Sequence, residues 1–478
     1  MKFFRSTLIL VAVAAVAGFS YWYFVVKKGK QKEEAEEKAA YLFEKTDRTI
    51  DRIILKQKGN PAIELEKEVV IEKEEGEEKK VDKWHILSPV KTGGDTVACN
   101  NLVDTLLESK KEEVVWESLD KKSEYGLDDP ELSLEFSFED GQTSSGQESG
   151  GELPHGIDFG IENLTSTKVF AAVKGKSNIY AVPVSLRNSL KKSLLELRDK
   201  KICPYAFEEI DGVTYLSPFE TFRLEKDGED WYLLPDRLKA SSTRVEIFTG
   251  TLTWSDFIEV VKEEAEIQDM KEYGFSAPRM LINLKINDGS SFLFMVGDFK
   301  QENDARFYYA TRSTDNMIFQ VNEDLLSRLI KTRFELKDRS IFPEVAMDDV
   351  SAMKLESAGT EYAFEKEGED WVFADTGEKL LRDFRIDNII RGIVTAEYEE
   401  LEPLKRGENG FDETGIDKPM YTVTMTLKEG GEPLVVKLTE KDKETNKLWL
   451  TPDSGETAYY TSGYFLSNWP ESRQDLLE

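Results

Sequence analysis

Histidine and cysteine are nearly missing from this chain: each occurs only twice in 478 residues. Two cysteines exclude a disulfide-dense scaffold, and with only two of each a Cys/His zinc site is not expected. Base is in deficit as well, with 63 Lys and Arg against 93 Asp and Glu, a net charge of −30. Six of those bases (Lys2, Arg5, Lys27, Lys28, Lys30 and Lys32) lie in the first 32 residues, where there is no acid, so the other 57 against 93 acids leave the rest of the chain at −36. A body this acidic repels phosphate backbones and anionic lipid, which argues against a nucleic-acid binder or a protein held to membranes by basic patches. Also missing are an HExxH helix, a G-x-S-x-G elbow, a phosphate-binding Walker loop, an EF-hand loop and a dinucleotide fingerprint.

A Ser-His-Asp triad could draw only on His85 and His155. His85 follows Trp84 in a strand pattern and reads as a sheet-face residue. His155 sits in the glycine-rich run Gly141 to Gly156, a loop in which a preorganised base is hard to hold. The phrases Asp227-Gly228-Glu229-Asp230 and Glu367-Gly368-Glu369-Asp370 could be cation ligands, yet turns between strands call for Gly and Asp in any case. We therefore assign no catalytic residue, no metal and no cofactor, and expect a protein that is not an enzyme.

What is present begins with Thr7 to Val26, TLILVAVAAVAGFSYWYFVV, 20 residues without a charge. At about 1.5 Å per residue such a helix spans the roughly 30 Å hydrocarbon layer. Tyr21, Trp22 and Tyr23 beside Lys27 and Lys28 suit the membrane interface. The rival is a signal peptide cut at Ala15-Val16-Ala17, but cleavage there leaves a short apolar region and a hydrophobic stub, so we read an uncleaved anchor over 7–26 behind a tail of 1–6. The flanking lysines on both sides leave its orientation open. Residues 27–45, of helix-forming composition, read as a charged stalk.

Beyond the stalk the chain repeats. The signature Gly-x3-Pro-x10-Gly occurs as Gly126, Pro130, Gly141, as Gly274, Pro278, Gly289 and as Gly415, Pro419, Gly430. The phrases are YGLDDP, YGFSAP and TGIDKP, and a tryptophan (Trp84, Trp231, Trp371) precedes each proline by 46, 47 and 48 residues. This period marks tandem modules, at 46–204, 205–343 and 344–478. Glycine permits a positive φ, the residue before proline is pushed to extended geometry, and a strand should follow. Each does alternate: Leu132, Leu134, Phe136 and Phe138 in the first copy; Ile282, Leu284 and Ile286 in the second; Tyr421, Val423, Met425 and Leu427 in the third. Asp140-Gly141, Asp288-Gly289 and Glu429-Gly430 then read as hairpin turns into antiparallel partners.

Helical spacing of Leu102, Leu106 and Leu107, and of Ile386, Ile389, Ile390 and Ile393, predicts a helix between each tryptophan and its signature glycine. A second helix closes the first two copies, ending at Ile202 and Ile341. The fold class is α+β: three tandem modules of antiparallel meander sheet with covering helices, plus one N-terminal transmembrane helix. One indole per module at a fixed place reads as a core anchor rather than a carbohydrate-stacking platform. Cys99 and Cys203 could pair in an oxidising compartment or stand as two thiols, and the sequence leaves this open.

A tryptophan strand, a helix, then YGLDDP and an alternating strand resemble the bacterial family called domain of unknown function 4340, in three copies over residues 50 to 478. The third copy departs, with Thr414 in place of tyrosine and no counterpart of Phe159-Gly160 and Val296-Gly297. The resemblance implies a membrane-tethered accessory part beside ABC-type transporters of the gliding-motility class, and it supplies no catalytic residues. From it we expect a single-pass protein of the bacterial inner membrane, held through residues 7–26, with its C-terminal body extracytoplasmic or periplasmic. Its expected role is a non-enzymatic scaffold or accessory of an ABC-type transport or gliding-motility-like envelope complex, with protein partners such as transporter subunits and no nucleic acid. The alternative is an extracytoplasmic module binding a peptide or glycan; the third reading is a hydrolase with a scattered site.

Overall fold

The computed structural model describes residues 41–43, 49–74, 77–138, 153–428, 430–452 and 455–478, with the side chains of 72–77 excepted. The tail, the anchor 7–26, most of the stalk, Gly141 and the turns at Asp140-Gly141 and Glu429-Gly430 therefore fall wholly or partly outside the described residues. Among the described residues no helix is long and apolar enough to cross a membrane.

Period-two sequence builds three antiparallel sheets. The first contains β1 (Ile50–Gln57), β2 (Ile63–Glu74), β3 (Glu77–Ser88), β4 (Thr92–Gly94), β5 (Glu113–Trp116), β6 (Leu132–Phe138), β7 (His155–Glu162), β8 (Lys168–Val173) and β9 (Ile179–Pro183), in the order β4-β3-β2-β1-β6-β7-β8-β9-β5. The second contains β10 (Ile210–Leu216), β11 (Thr221–Asp227), β12 (Asp230–Leu234), β13 (Leu238–Ala240), β14 (Glu259–Lys262), β15 (Met280–Ile286), β16 (Ser291–Glu302), β17 (Ala305–Arg312) and β18 (Ile318–Asn322). The third contains β19 (Val350–Ser357), β20 (Thr360–Glu367), β21 (Asp370–Phe373), β22 (Leu404–Lys405), β23 (Tyr421–Leu427), β24 (Leu434–Leu438), β25 (Lys447–Pro452) and β26 (Thr457–Ser462), in the order β21-β20-β19-β23-β24-β25-β26-β22.

The chain clusters into two compact units, one of residues up to Phe219 with Phe248–Ile330, the other of Glu220–Ile247 with Lys331–Glu478. Six strands of the second sheet lie in the first unit, in the order β10-β15-β16-β17-β18-β14, and the meander β11-β12-β13 lies in the second. These limits differ from the sequence divisions at 204/205 and 343/344, which fall between sheets.

At the centre of each sheet the strand after the signature proline pairs with the first strand of its copy: β6 with β1, β15 with β10, β23 with β19. Each pair slips register at one place, between Ile50 and Arg52, Ile210 and Gly212, and Val350 and Ala352. The alternating residues turn inward, with Leu132, Leu134, Phe136, Leu284, Val423 and Met425 fully buried. The sheets are not pure meanders. After its helix the chain crosses to the far edge, so β5 pairs with β9, β14 with β18 and β22 with β26.

The helices are α1 (Thr96–Leu107), α2 (Val184–Leu190), α3 (Leu194–Leu197), α4 (Ser242–Thr253), α5 (Ile267–Glu272), α6 (Glu323–Leu329), α7 (Arg333–Leu336), α8 (Phe384–Val394) and α9 (Gln474–Leu477). Leu102 and Leu106 of α1, and Ile386, Ile389, Ile390 and Ile393 of α8, are buried. The single closing helix expected in the first two copies is instead a pair, and local chemistry explains the break. Lys191 and Ile330 turn extended, and a capping box restarts each helix: Ser193 with Glu196, and Thr332 with Glu335. The third copy closes in a related way, with Ser472 bonded to Asp475 ahead of the short α9. At the other end, Leu42 and Phe43, placed in the stalk by sequence, are buried in the core of the first sheet.

Candidate functional site

The signature tryptophans lie in the core, with exposures of 2% for Trp84 and 1% for Trp231 and Trp371. The indole of Trp84 donates to Asn100 Oδ1 on α1 at 2.8 Å, and that of Trp371 to Asp387 Oδ1 on α8 at 2.9 Å. Each bond ties a strand to the covering helix sixteen residues on, satisfying a buried donor. None of the three rings offers solvent a face on which a sugar could stack.

Gly126, Gly274 and Gly415 adopt φ of +68°, +86° and +72°, the left-handed turn that ends the short helix before each proline. In the first two copies this turn meets a second glycine. A Cβ on Gly160 would lie 2.0 Å from Tyr125 O, and one on Gly297 would lie 2.1 Å from Tyr273 O. The ring of each tyrosine packs edge-on to an aromatic of the next strand, Tyr125 to Phe170 at 4.7 Å and Tyr273 to Tyr309 at 4.6 Å. Tyrosine and Phe-Gly or Val-Gly are thus two halves of one contact, which is why the third copy departs at both. Its Thr414 is buried, donates to Phe411 O at 2.7 Å, and belongs to a segment whose Phe411 and Ile416 pack with Trp449. Gly289 and Gly430 have positive φ with open space beyond, as hairpin turns require. Pro130, Pro278 and Pro419 each stand just ahead of the central strand.

The acidic turns hold bases. Asp227 pairs with Arg237, Asp230 with Lys239 at 3.2 Å, and Asp370 with Lys379 at 2.6 Å. Among the described residues no three His, Cys, Asp or Glu side chains gather as a metal site would require. His85 lies on β3, its Nε2 3.2 Å from Glu68 Oε2 and its side chain 44% exposed. His155 does not sit in a loop: it is the first residue of β7, paired with Phe136 and stacked on its ring at 5.4 Å. The aromatic pair Phe136 and Phe138 fixes it there as a packing residue.

Cys99 and Cys203 are both free and buried. Burial, with Asp95 nearby, pushes the Cys99 thiol up to about 12, and burial pushes Cys203 up to about 11. A thiol so raised holds almost no thiolate at neutral pH and is a poor nucleophile.

A second repeated constellation escaped the sequence reading. After the closing helices the chain runs as a shared strand. On one side Asp199 N donates to Gly93 O at 2.9 Å; on the other Ile202 N donates to Ser255 O at 3.0 Å and Phe257 N to Lys200 O at 2.9 Å. The same three bonds recur from Asp338 to Lys239, Ile341 to Ala396 and Tyr398 to Arg339, at 2.8, 2.9 and 3.0 Å. Arg198, its side chain 2% exposed, donates to Glu263 at 2.8 Å and contacts Met317 Sδ at 3.6 Å, while its Nε finds no partner among the described residues. Lys337 occupies the corresponding place and binds Glu402 at 2.7 Å. Arg312 donates to the carbonyls of Lys201 and Ile202, and Arg244 to that of Lys337. Only the spacing between Arg198 and Glu263, and again between Lys337 and Glu402, was a sequence signal. Among abundant charges it does not stand out.

This geometry couples strands and copies. No curated protein and no solved structure matches the chain. The model of the family "Domain of unknown function (DUF4340)" matches residues 84–278 and 255–419. The first match opens on Trp84 and closes on Pro278, and the second closes on Pro419, so the matches count two overlapping regions where the sheets count three. Together they take in well over half of the sequence, and the chain belongs to the DUF4340 family.

Proposed function

We propose that this protein is a non-enzymatic scaffold or accessory component of a bacterial envelope complex, anchored in the inner membrane through residues 7–26 with its C-terminal body outside the cytoplasm. Its partners are protein subunits, of an ABC-type transport or gliding-motility-like machinery. The observation that supports this reading is the repeated coupling strand: Asp199–Ile202 and Asp338–Ile341 each bond on both sides, making the links between copies part of the sheet framework. Tandem copies held in this way offer several sheet edges to protein partners. The acidic surface suits such contacts and disfavours nucleic acid.

The test is purification of the intact chain from detergent-solubilised membranes, with its neighbours identified. Recovery of ABC-type transporter subunits in fixed ratio supports the proposal, and repeated recovery of the protein alone overturns the partnership. A glycan or peptide that raises the melting temperature in a ligand screen would favour the binding-module reading instead.

A further inference from the structure

Asparagine followed by glycine occurs once in the chain, at Asn409-Gly410. The pair lies in the turn between β22 and the short helical segment Asp412–Thr414 of the third copy. Hydrogen bonds fasten this turn on either side of it: Lys405 N donates to Glu408 Oε2 at 2.8 Å, Glu408 N to Lys405 O at 3.0 Å and Phe411 N to Glu408 O at 3.2 Å. The pair itself is unfastened. Asn409 is exposed, and among the described residues neither its side-chain amide nor the Gly410 N–H has a hydrogen-bond partner. Gly410 stands at φ +89°, and the atom nearest to where a Cβ would be is Leu404 Cδ1, at 3.9 Å. Other asparagines are engaged: Asn100 accepts from Trp84, Asn163 and Asn322 accept from backbone amides, and Asn388 bonds to Asn468.

We propose that Asn409-Gly410 is a self-modifying site, at which the chain converts its own asparagine to aspartate and isoaspartate with water as co-reactant. The Gly410 amide nitrogen gives its proton to solvent base and attacks Cγ of Asn409; the N–Cγ bond forms, the Cγ–Nδ2 bond breaks, and the side-chain amide leaves as ammonia, taking up a proton. A five-membered succinimide remains. Water then opens the ring at either carbonyl, giving aspartate where the new N–Cγ bond breaks and isoaspartate where the original bond between the Asn409 carbonyl carbon and Gly410 N breaks. No electron changes hands: water is consumed, ammonia is lost and a negative charge is gained. Asparagine is thermolabile through this reaction, and a following glycine, having no Cβ, leaves the attacking nitrogen uncrowded.

Isoaspartate puts an extra carbon into the main chain inside a turn fastened on both sides. That turn holds Phe411, 1% exposed and packed with Leu404 and Trp449, and Arg406, which lies 4.9 Å from the Phe411 ring and meets Asp417 at 2.7 Å. It follows directly on β22, an edge strand paired with β26 and continued by Arg406 N donating to Glu456 O at 2.9 Å. Lengthening the turn therefore releases β22 and uncovers the edge of β26 for pairing. Aspartate changes only the charge, beside Glu408, Asp412 and Glu413.

The experiment ages the intact chain in mildly alkaline buffer, beside the same chain in urea and the free peptide KRGENGFDE of residues 405–413. Peptide mass spectrometry follows each asparagine, and chromatography separates the aspartate and isoaspartate products. Asn409 loses its amide before any other asparagine, and does so in the native chain as fast as in the free peptide; Asn409→Gln keeps its amide, since the longer side chain must close a six-membered ring. The isoaspartate fraction shows faster hydrogen exchange at the Arg406 amide, and Asn409→Asp exchanges there as the fresh chain does. The proposal is overturned if the native chain keeps the Asn409 amide while the unfolded chain and the peptide lose it, or if another asparagine converts first. Unchanged Arg406 exchange in the isoaspartate fraction overturns the release of β22.

Discussion

Arg198 Nη2 donates to Glu263 Oε2 at 2.8 Å with the arginine side chain 2% exposed, whereas the corresponding pair, Lys337 with Glu402, closes at 2.7 Å with exposures of 18% and 60%. One junction holds a buried guanidinium and the other a partly solvated ammonium. Their energetic weights must differ, since removing a partner from a buried pair strands a charge while an exposed pair is screened.

Arg198→Ala should therefore lower stability by about 2–3 kcal/mol, the upper range for buried pairs being discounted because Glu263 is one-third exposed. Lys337→Ala should cost no more than about 1 kcal/mol. Urea unfolding of the two variants, compared at equal slope, checks the difference. Equal losses would mean that the guanidinium's burial carries no extra weight.

A second expectation concerns the turn–strand contact. Alanine at Gly160 or Gly297 forces its Cβ to 2.0 or 2.1 Å from a carbonyl oxygen, a clash with backbone rather than with a movable side chain. A loss of about 3 kcal/mol is expected, at the upper end for overpacking. Gly415→Ala meets nothing within 4 Å and pays only for its φ of +72°, about 1 kcal/mol. Thermal unfolding of the three variants should rank them in that order.

A third follows from the indole locks. Asp387→Leu leaves the Trp371 N–H buried without its acceptor and should cost about 1–3 kcal/mol, while Asp387→Asn keeps an acceptor oxygen and should cost much less. Near-ultraviolet circular dichroism together with melting temperature separates the two.

The α+β class and the central strands were legible because glycine, proline and two-residue alternation are local signals. Leu132 to Phe138 and Tyr421 to Leu427 declare their buried faces unaided. What stayed hidden was non-local or carried by common residue types. Nothing in Glu113-Val114-Val115-Trp116 says that it crosses to the far edge beside β9, since pairing across a covering helix leaves no trace in the strand itself. Leu42 and Phe43 sit among charges and read as stalk until their burial and the bond from Leu42 N to Ser109 O are seen. The helix breaks were readable in principle, because Ser193-x-x-Glu196 and Thr332-x-x-Glu335 are capping boxes, but the apolar periodicity ran through them and masked the restart. His155 was misplaced because the last two residues of the glycine-rich run, His155 and Gly156, already belong to a strand.

The thiols give the last expectation. Burial is the largest cause holding Cys99 up at about 12 against an ordinary 9.0, so the folded protein keeps it protonated more firmly than the unfolded chain does. That preference is fully present below about pH 9 and is lost as pH rises through the folded value near 12. Stability should consequently fall with rising pH above about 9, and Cys99→Ala should flatten that decline while changing little at neutral pH beyond a packing loss. A maleimide at pH 7.5 should leave both thiols unmodified in the native chain and label both in denaturant, as their burial and raised pKa together require. Rapid native labelling of Cys203 in particular would show that the Lys200–Ile202 strand opens on the timescale of the reaction, and the coupling strand would then be a hinge.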